Sequence, residues 1–185
     1  MVYRQRKYPL FSACGLNCGL CPRYHTNGGS RCPGCAGEDF LTKHPSCGVL
    51  SCSQRHGVDY CCLCKEYPCH RYDDANLADS FITYRHQLKD LDKAKIIGLE
   101  AYEAELNKKI ALLENLLETC DDGRRKSFFC IAVNLLDLQD IESVMAQIAE
   151  MSHSAKKEKT AAAVRLFQAM AEKNGIILKL CRKPS

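Results

Sequence analysis

The chemistry in this chain sits in its cysteines. Ten of them fall into a spaced pattern: Cys14-x3-Cys18-x2-Cys21, then Cys32-x2-Cys35, Cys47-x4-Cys52, Cys61-x2-Cys64 and finally Cys69. Three steps are Cys-x2-Cys, a spacing that lets two thiolates on one tight turn reach the same tetrahedral ion at about 2.3 Å while backbone N–H groups of the turn point at the sulfurs. One such pair is weak evidence. Three pairs and four further cysteines within 56 residues make a ligand set, and the metal expected is zinc, about two ions, with all ten as candidate ligands.

Which cysteines share an ion stays open at this level. Cys32, Cys35, Cys47 and Cys52 form the set with the shortest loops to close, eleven residues at most between ligands, which leaves Cys18 and Cys21 to meet Cys61 and Cys64. An interleaved cross-brace and two sequential clusters also satisfy the spacing. Cys14 and Cys69 are surplus to two zinc ions, as replacement ligands or as partners of a histidine at a third metal. His25, His44, His56 and His70 lie nearby and are read as surface or hydrogen-bonding groups, since ten thiols already suffice.

The rival cofactor is an iron–sulfur cluster. Cys14-x3-Cys18-x2-Cys21 has the spacing by which radical enzymes hold a [4Fe–4S] cluster through three cysteines, and Cys69 offers a fourth thiolate. Such enzymes need a large α/β barrel, whereas loop and helix follow here, so zinc is preferred. Disulfides are the least favoured alternative. The N-terminus leads into no signal-peptide core and no stretch approaches the roughly 20 apolar residues of a membrane span, so the expected compartment is the reducing cytoplasm.

Composition makes the same case from the side of energy. Leu, Ile, Val and Phe supply only 11 of residues 1–72 but 31 of the remaining 113. A segment this poor in apolar residues buries too little surface to offset its chain entropy, so metal must order it. A structural zinc site contributes roughly 10–16 kcal/mol of apparent binding free energy, which becomes folding free energy where the metal-free site is unformed. Charge is uneven as well: Lys and Arg exceed Asp and Glu nine to four in residues 1–72 and eight to two in 152–185, while 73–151 is acidic, sixteen to nine. Complementary parts of one molecule packing together account for that asymmetry.

Four cysteines fall outside the pattern. Cys130 and Cys181 stand in apolar stretches and read as small core residues, Cys120 is given no role, and Cys62, between two ligands, is the thiol to watch for metal exchange or oxidation. Arg124, Arg125 and Lys126 precede a helix start and could hold a phosphate or carboxylate, although a capped helix whose arginines pair with the acidic 100–122 stretch is the simpler reading. Lys156, Lys157 and Lys159 form a solvated helix face. Aromatic residues do not interleave with the cations, so nucleic-acid binding is not indicated. Phosphate-loop, dinucleotide, zinc-protease and serine-hydrolase motifs are absent, and no catalytic residue is assigned.

The elements that must position the cysteines are loops. Asn27-Gly-Gly-Ser30, Cys32-Pro-Gly-Cys35 and His44-Pro-Ser46 punctuate the first segment and leave room for one or two short helical turns. From Asp73 the texture is helical. Leu77, Phe81, Tyr84, Leu88 and Leu91 predict a first helix capped by Asp73 or Asp74 and stopped at Gly98; Leu99, Tyr102, Leu106, Ile110, Leu113 and Leu117 predict a second. A third starts near Lys126 or Ser127 with Phe128, Ile131, Ala132 and Leu135. Leu138, Ile141, Val144, Met145 and Ile148 form a fourth stripe. Residues 154–174 make a fifth, with Val164, Phe167 and Met170 inward and Asn174-Gly175 as its stop. The apolar tail 176–181 is expected to be a strand paired with Leu10–Ala13.

Ser12-Ala-Cys-Gly-Leu-Asn-Cys-Gly-Leu-Cys-Pro22, Cys32-Pro-Gly-Cys35 and Tyr60-Cys-Cys-Leu-Cys-Lys-Glu-Tyr-Pro-Cys69 together resemble the cysteine-rich bacterial and archaeal family catalogued as domain of unknown function 3795. Asp122-Gly-Arg-Arg-Lys-Ser-Phe-Phe-Cys-Ile-Ala-Val-Asn-Leu-Leu136 is similar to the helical continuation of that family, so the resemblance runs from about residue 10 to about 180. Ten cysteines, 14, 18, 21, 32, 35, 47, 52, 61, 64 and 69, match its pattern, and Cys62 departs from it. The resemblance implies a zinc-binding protein without an established activity.

The sequence therefore predicts a mostly α protein: a loop-rich metal-binding module over residues 1–72 packed on a bundle of four or five helices over 73–185, with one small pairing of the termini. Its expected role is non-catalytic, with zinc supporting a binding or adaptor surface. A thiol redox or metal-handling protein and an iron–sulfur protein using Cys14, Cys18 and Cys21 are the alternatives.

Overall fold

A computed structural model describes residues 4–73, 78–151 and 155–182, and those residues are helical with no strand among them. The cysteine-rich segment holds two short helices, α1 (Phe40–Lys43) and α2 (Gly48–Arg55), and single 3-10 turns at Cys18–Leu20, Cys61–Leu63 and His70–Tyr72. Five longer helices follow: α3 (Gln87–Ile97), α4 (Leu99–Thr119), α5 (Lys126–Leu135), α6 (Leu138–Ala149) and α7 (Lys156–Lys173). No helix among the described residues is long and apolar enough to cross a membrane.

Helix α4 is the spine of the bundle. Tyr102, Leu106, Ile110, Leu113 and Leu116 recur every three or four residues and are buried. They pack against α3, α5 and α6, while α6 and α7 pair with each other. Helix α5 is buried on every side from Phe129 to Leu135, which places it at the centre of the molecule. On α7 the inward face is Ala163, Phe167 and Ala171, slightly rotated from the predicted stripe, because alanines let the helix approach α6 closely; Val164 and Met170 are only partly buried.

The predicted first helix is shorter than its periodicity suggests. Asp74 and Leu77 lie outside the described residues, and 78–86 is an irregular segment that ends where α3 begins at Gln87. Asp79 explains the delay: its carboxylate accepts the backbone N–H of Tyr84 at 2.8 Å, a local bond that competes with a helical ladder, and that of the distant Cys181 at 2.7 Å. Gly98, with φ +91°, stops α3 as expected.

The tail does not pair with Leu10–Ala13. It lies along 79–85 instead, held by the Arg85 guanidinium, which donates to the Ile177 and Lys179 carbonyls at 2.7 and 2.8 Å, and by the Asp79 N–H bond to the Cys181 carbonyl at 2.8 Å. A side-chain clamp satisfies these backbone groups where a strand would have used a ladder.

The cysteine-rich segment docks through aromatic side chains. Phe11 and Leu20 are wholly buried, and with Tyr60 and Tyr72 they belong to the same apolar core as α4, α5 and α7. Phe11 stacks on Tyr60 at 5.2 Å and meets Tyr102 of α4 at 4.5 Å. A second, smaller cluster of Ala13, Cys35, Ala36, Phe40 and Leu50 lies inside the cysteine-rich segment itself.

Candidate metal centre

Each cysteine pair is presented by a tight turn. The Cys21 N–H donates to the Cys18 carbonyl at 3.1 Å, and the Cys64 N–H to the Cys61 carbonyl at 2.9 Å, so both Cys-x2-Cys steps close as 3-10 turns. At Cys32-Pro-Gly-Cys35 the turn depends on Gly34, whose φ is +86° and whose missing β-carbon would stand 2.5 Å from the Pro9 carbonyl oxygen. Gly15, between Cys14 and Cys18, has φ +93° and presses so close to Gln87 and Leu91 of α3 that a β-carbon would collide with them.

Backbone hydrogen bonds then bring the turns together. The Cys32 N–H donates to the Arg23 carbonyl at 3.0 Å, which fixes the second turn against the loop leaving Cys21. The Cys35 N–H reaches Pro9 at 2.8 Å, and the Cys61 N–H reaches Ala13 at 2.8 Å. The outcome is two groups of thiols.

Cys18 anchors the first, with Cys35, Cys14, Cys21 and Cys32 within its electrostatic reach, and Cys35 is in turn within reach of Cys14 and Cys47. Burial pushes the Cys18 thiol well above its ordinary value, and the next contributions come from the neighbouring thiols of Cys35, Cys14, Cys21 and Cys32. Burial raises Cys35 to about 11, with the Arg6 guanidinium pulling the other way. Cys21 is also raised by burial, opposed by N–H groups of Arg23 and Tyr24 donating to its sulfur. Such N–H donors are the groups that stabilise a metal-bound thiolate.

Cys52, Cys61, Cys64 and Cys69 form the second group and line one small pocket with His56, Glu66 and Tyr72. Burial pushes the Cys61 thiol up to about 12; the Tyr72 hydroxyl opposes this, and Cys14, Cys69 and Cys52 add to it. Cys14 lies between the groups, within electrostatic reach of Cys18, Cys35 and Cys61, and its sulfur is 3.1 Å from the Ser12 hydroxyl. Cys47 stands at the N-terminus of α2 and accepts the Leu50 N–H at 3.5 Å. The bond to the Arg23 carbonyl ties Cys32 to the loop leaving Cys21, while α2 carries Cys52 toward residues 61–69.

All fourteen cysteines are unbridged. As the side chains stand, no three His, Cys, Asp or Glu groups among the described residues converge closely enough to hold an ion. Two histidines are engaged away from the thiols, a ring nitrogen of His25 lying 2.7 Å from the Gly19 carbonyl and His44 stacking on Phe40 and bonding Pro45, whereas His56 stays at the second group, with Nδ1 2.9 Å from the Cys52 carbonyl and 3.6 Å from the Cys52 sulfur. His70 is exposed.

Three expectations outside the pattern change. Cys62 is 1% exposed within the main core, so it is a packing residue rather than an exchangeable thiol. Cys130 is buried as anticipated and Cys120 is buried too, but Cys181 is exposed because the tail lies on the surface. At the start of α5, the Gly123 and Arg125 N–H groups are taken by the Asp121 carboxylate and that of Arg124 by Asp122, while Lys126 reaches the Thr26 hydroxyl at 3.4 Å. The turn is capped, and among the described residues Arg124 and Arg125 form no ion pair with the acidic stretch.

Behind the first thiol group lies a polar network that spacing did not reveal. Asn17, next to Cys18, donates to Asp90 at 2.8 Å and to Asn134 at 3.3 Å, and accepts the Tyr102 hydroxyl at 3.0 Å. Burial raises Asp90 to about 6 and lowers His86 to about 4. Both line a cavity of about 270 Å³ with Lys89, Lys93, Glu105 and Lys109. Those cations and anions satisfy one another: Lys93 pairs with Glu105 at 2.5 Å and Lys109 donates to the Leu136 carbonyl at 2.7 Å.

Residues 10–74 match the model of the family described as Protein of unknown function (DUF3795). The match spans all ten spaced cysteines and stops before the helical bundle. No curated protein and no solved structure matches the chain.

Proposed function

We propose that the chain is a zinc-binding protein in which two Cys-ligated ions order the N-terminal segment and thereby hold a binding or adaptor surface, without a catalytic step of its own. The observation that carries this reading is the environment of Cys18, a half-buried cysteine with Cys14, Cys21, Cys32 and Cys35 within electrostatic reach in a segment made of loops and short turns. A set of four thiols with N–H donors at one of them suits a soft-liking tetrahedral ion. Cys18, Cys21, Cys32 and Cys35 would hold one ion and Cys52, Cys61, Cys64 and Cys69 the other, with Cys14 and Cys47 in reserve. Binding requires the sulfurs of each set to turn toward a common centre. Zinc supplies no electrons here; it cross-links turns that lack a large core.

The surface such cross-linking would support is close at hand. Leu20 and Pro22, on the Cys18–Cys21 turn, line one wall of an apolar groove of about 170 Å³ whose other walls are Phe81, Phe128 and Leu178. The Arg23 guanidinium lies 5.2 Å from the Phe81 ring, so the loop leaving Cys21 also positions the exposed aromatic at the rim.

An iron–sulfur cluster is the second reading, favoured by the presence of both Cys14 and Cys21 around Cys18. Anaerobic purification followed by metal analysis and a visible spectrum separates the two. Colourless protein with about two zinc per chain supports the first; brown protein with iron and sulfide replaces it with the second. Zinc that leaves on mild oxidation with disulfide formation points instead to thiol redox or metal handling. Cys35→Ser should lose about one zinc and unfold the N-terminal segment with the helices partly retained; unchanged metal content and melting would count against Cys35 as a ligand.

A further inference from the structure

The polar cavity beside α3 holds two opposite charges that do not meet. Asp90 of α3 and Lys109 of α4 both line this space of about 270 Å³ and both are half-buried, yet no ion pair among the described residues joins them. The other charges of the cavity are matched in pairs. Lys89 meets Asp137 at 3.7 Å and Lys93 meets Glu105 at 2.5 Å. Asp90 and Lys109 are instead held by neutral partners. The Asn17 amide donates to Asp90 at 2.8 Å, and the Lys109 ammonium donates to the Leu136 carbonyl at 2.7 Å, a bond that uses one of its three N–H groups. Burial shifts both groups toward neutrality, raising Asp90 to about 6 and lowering Lys109. Opposite charges in a poorly solvated place gain most from direct contact. Two that are fixed apart across a cavity leave room for a molecule that bridges them.

The balance of charge selects that molecule. Three lysines share the cavity with three carboxylates, and His86, which burial lowers to about 4, is neutral at pH 7. A phosphate or other simple anion would suit Lys109 and oppose Asp90; a simple cation would do the reverse. A molecule with one carboxylate and one ammonium answers both and keeps the balance. The volume falls just below the roughly 300–1,000 Å³ of ordinary ligand cavities, so the molecule is small. Leu106 and Tyr102 add wall for its carbon atoms. We propose that this cavity binds a small zwitterion of the free amino-acid class, with its carboxylate on Lys109 and its ammonium on Asp90. The cavity is lined by no cysteine, so the inference goes beyond the metal reading and does not depend on it.

The experiment is isothermal titration of the full chain, purified anaerobically under reducing conditions, with each proteinogenic L-α-amino acid at up to about 10 mM, beyond the weak millimolar end of specific binding. At least one should bind. Its deaminated carboxylate and its decarboxylated amine should each bind about 10-fold or more weakly, because each leaves one of the two charges unanswered. Lys109→Met and Asp90→Asn, the second keeping an acceptor for Asn17, should weaken the amino acid by a similar factor. Asp90→Asn should also erase the preference for the amino acid over its carboxylate analogue. The analogue comparison uses the wild-type chain, so it decides even where a variant fails to fold. Binding of no amino acid overturns the inference and leaves the metal reading standing. A carboxylate analogue as tight as its amino acid marks a plain anion site and overturns it, as does unchanged affinity in either folded variant. Amino-acid binding by a chain that takes up no zinc supports this inference and overturns the metal reading alone.

Discussion

Asn17 donates from Nδ2 to the Asp90 carboxylate at 2.8 Å across the seam between the first cysteine loop and α3. The same amide side chain accepts the Tyr102 hydroxyl from α4, so one 3% exposed residue joins the turn that begins at Cys18 to two helices of the bundle. Cysteine-loop geometry and helix packing are therefore coupled at a single side chain.

Asn17→Ala should be strongly destabilising. It takes a donor from Asp90 and an acceptor from the Tyr102 hydroxyl at the inner wall of the polar cavity, and each group left unsatisfied costs on the order of 1–3 kcal/mol. Urea unfolding of the zinc-saturated protein should show a loss of about 2–4 kcal/mol. A loss below about 0.5 kcal/mol, the usual range for an inconsequential surface change, would mean the network is not sealed.

Opposed pH dependences should be found at the cavity between α3 and α4. Burial raises Asp90 from 3.8 to about 6, with Lys109, Asn17, Tyr102 and Lys89 opposing, so the fold binds its proton more tightly than the unfolded chain does. Its contribution to stability is complete below pH 3.8 and is lost as pH rises through about 6. Burial lowers His86 from 6.5 to about 4, helped by Lys89, Lys109 and Arg85 and opposed by Asp137; its contribution is complete above pH 6.5 and is lost as pH falls toward 4. The two slopes offset each other in the wild type. Relative to wild type, Asp90→Asn should gain stability as pH rises from about 4 to 7, and His86→Gln should gain it as pH falls over the same range. Denaturant titrations of the three proteins across that range check the signs, and parallel curves would refute them.

Removal of metal should act first on the loops. With a strong chelator under reducing conditions, amides around Cys18–Cys35 and Cys52–Cys69 should lose hydrogen-exchange protection, whereas α6 and α7 should keep theirs. Phe11, Leu20, Tyr60 and Tyr72 share the main core, so the exposed side of α4 should loosen as well. Retention of full protection by the metal-free cysteine loops would refute metal as their organising force.

The sequence was informative wherever information is local. Leu106, Ile110 and Leu113 announce α4 because a helix repeats every 3.6 residues, and Gly98 announces its start because few residues tolerate its φ. It misplaced the start of α3, where Asp79 bonds to Tyr84 and to the distant Cys181 and so overrides a plausible stripe through Phe81. Cys62 and Cys181 were both misjudged from their neighbours, since burial depends on what packs against a segment from elsewhere in the chain.

What the sequence by itself determined is the type of chemistry and the main helices: cysteines with two residues between them on turns offer paired sulfur donors, and apolar periodicity fixes which helix face turns inward. Only the tertiary structure decided which turns meet. The Cys32 N–H meets the Arg23 carbonyl, Asn17 finds Asp90 and Asn134 at separations of 73 and 117 residues, and the Arg6 N–H meets the carbonyl of Ala36. Those encounters are set by how separate elements pack, which no local spacing encodes.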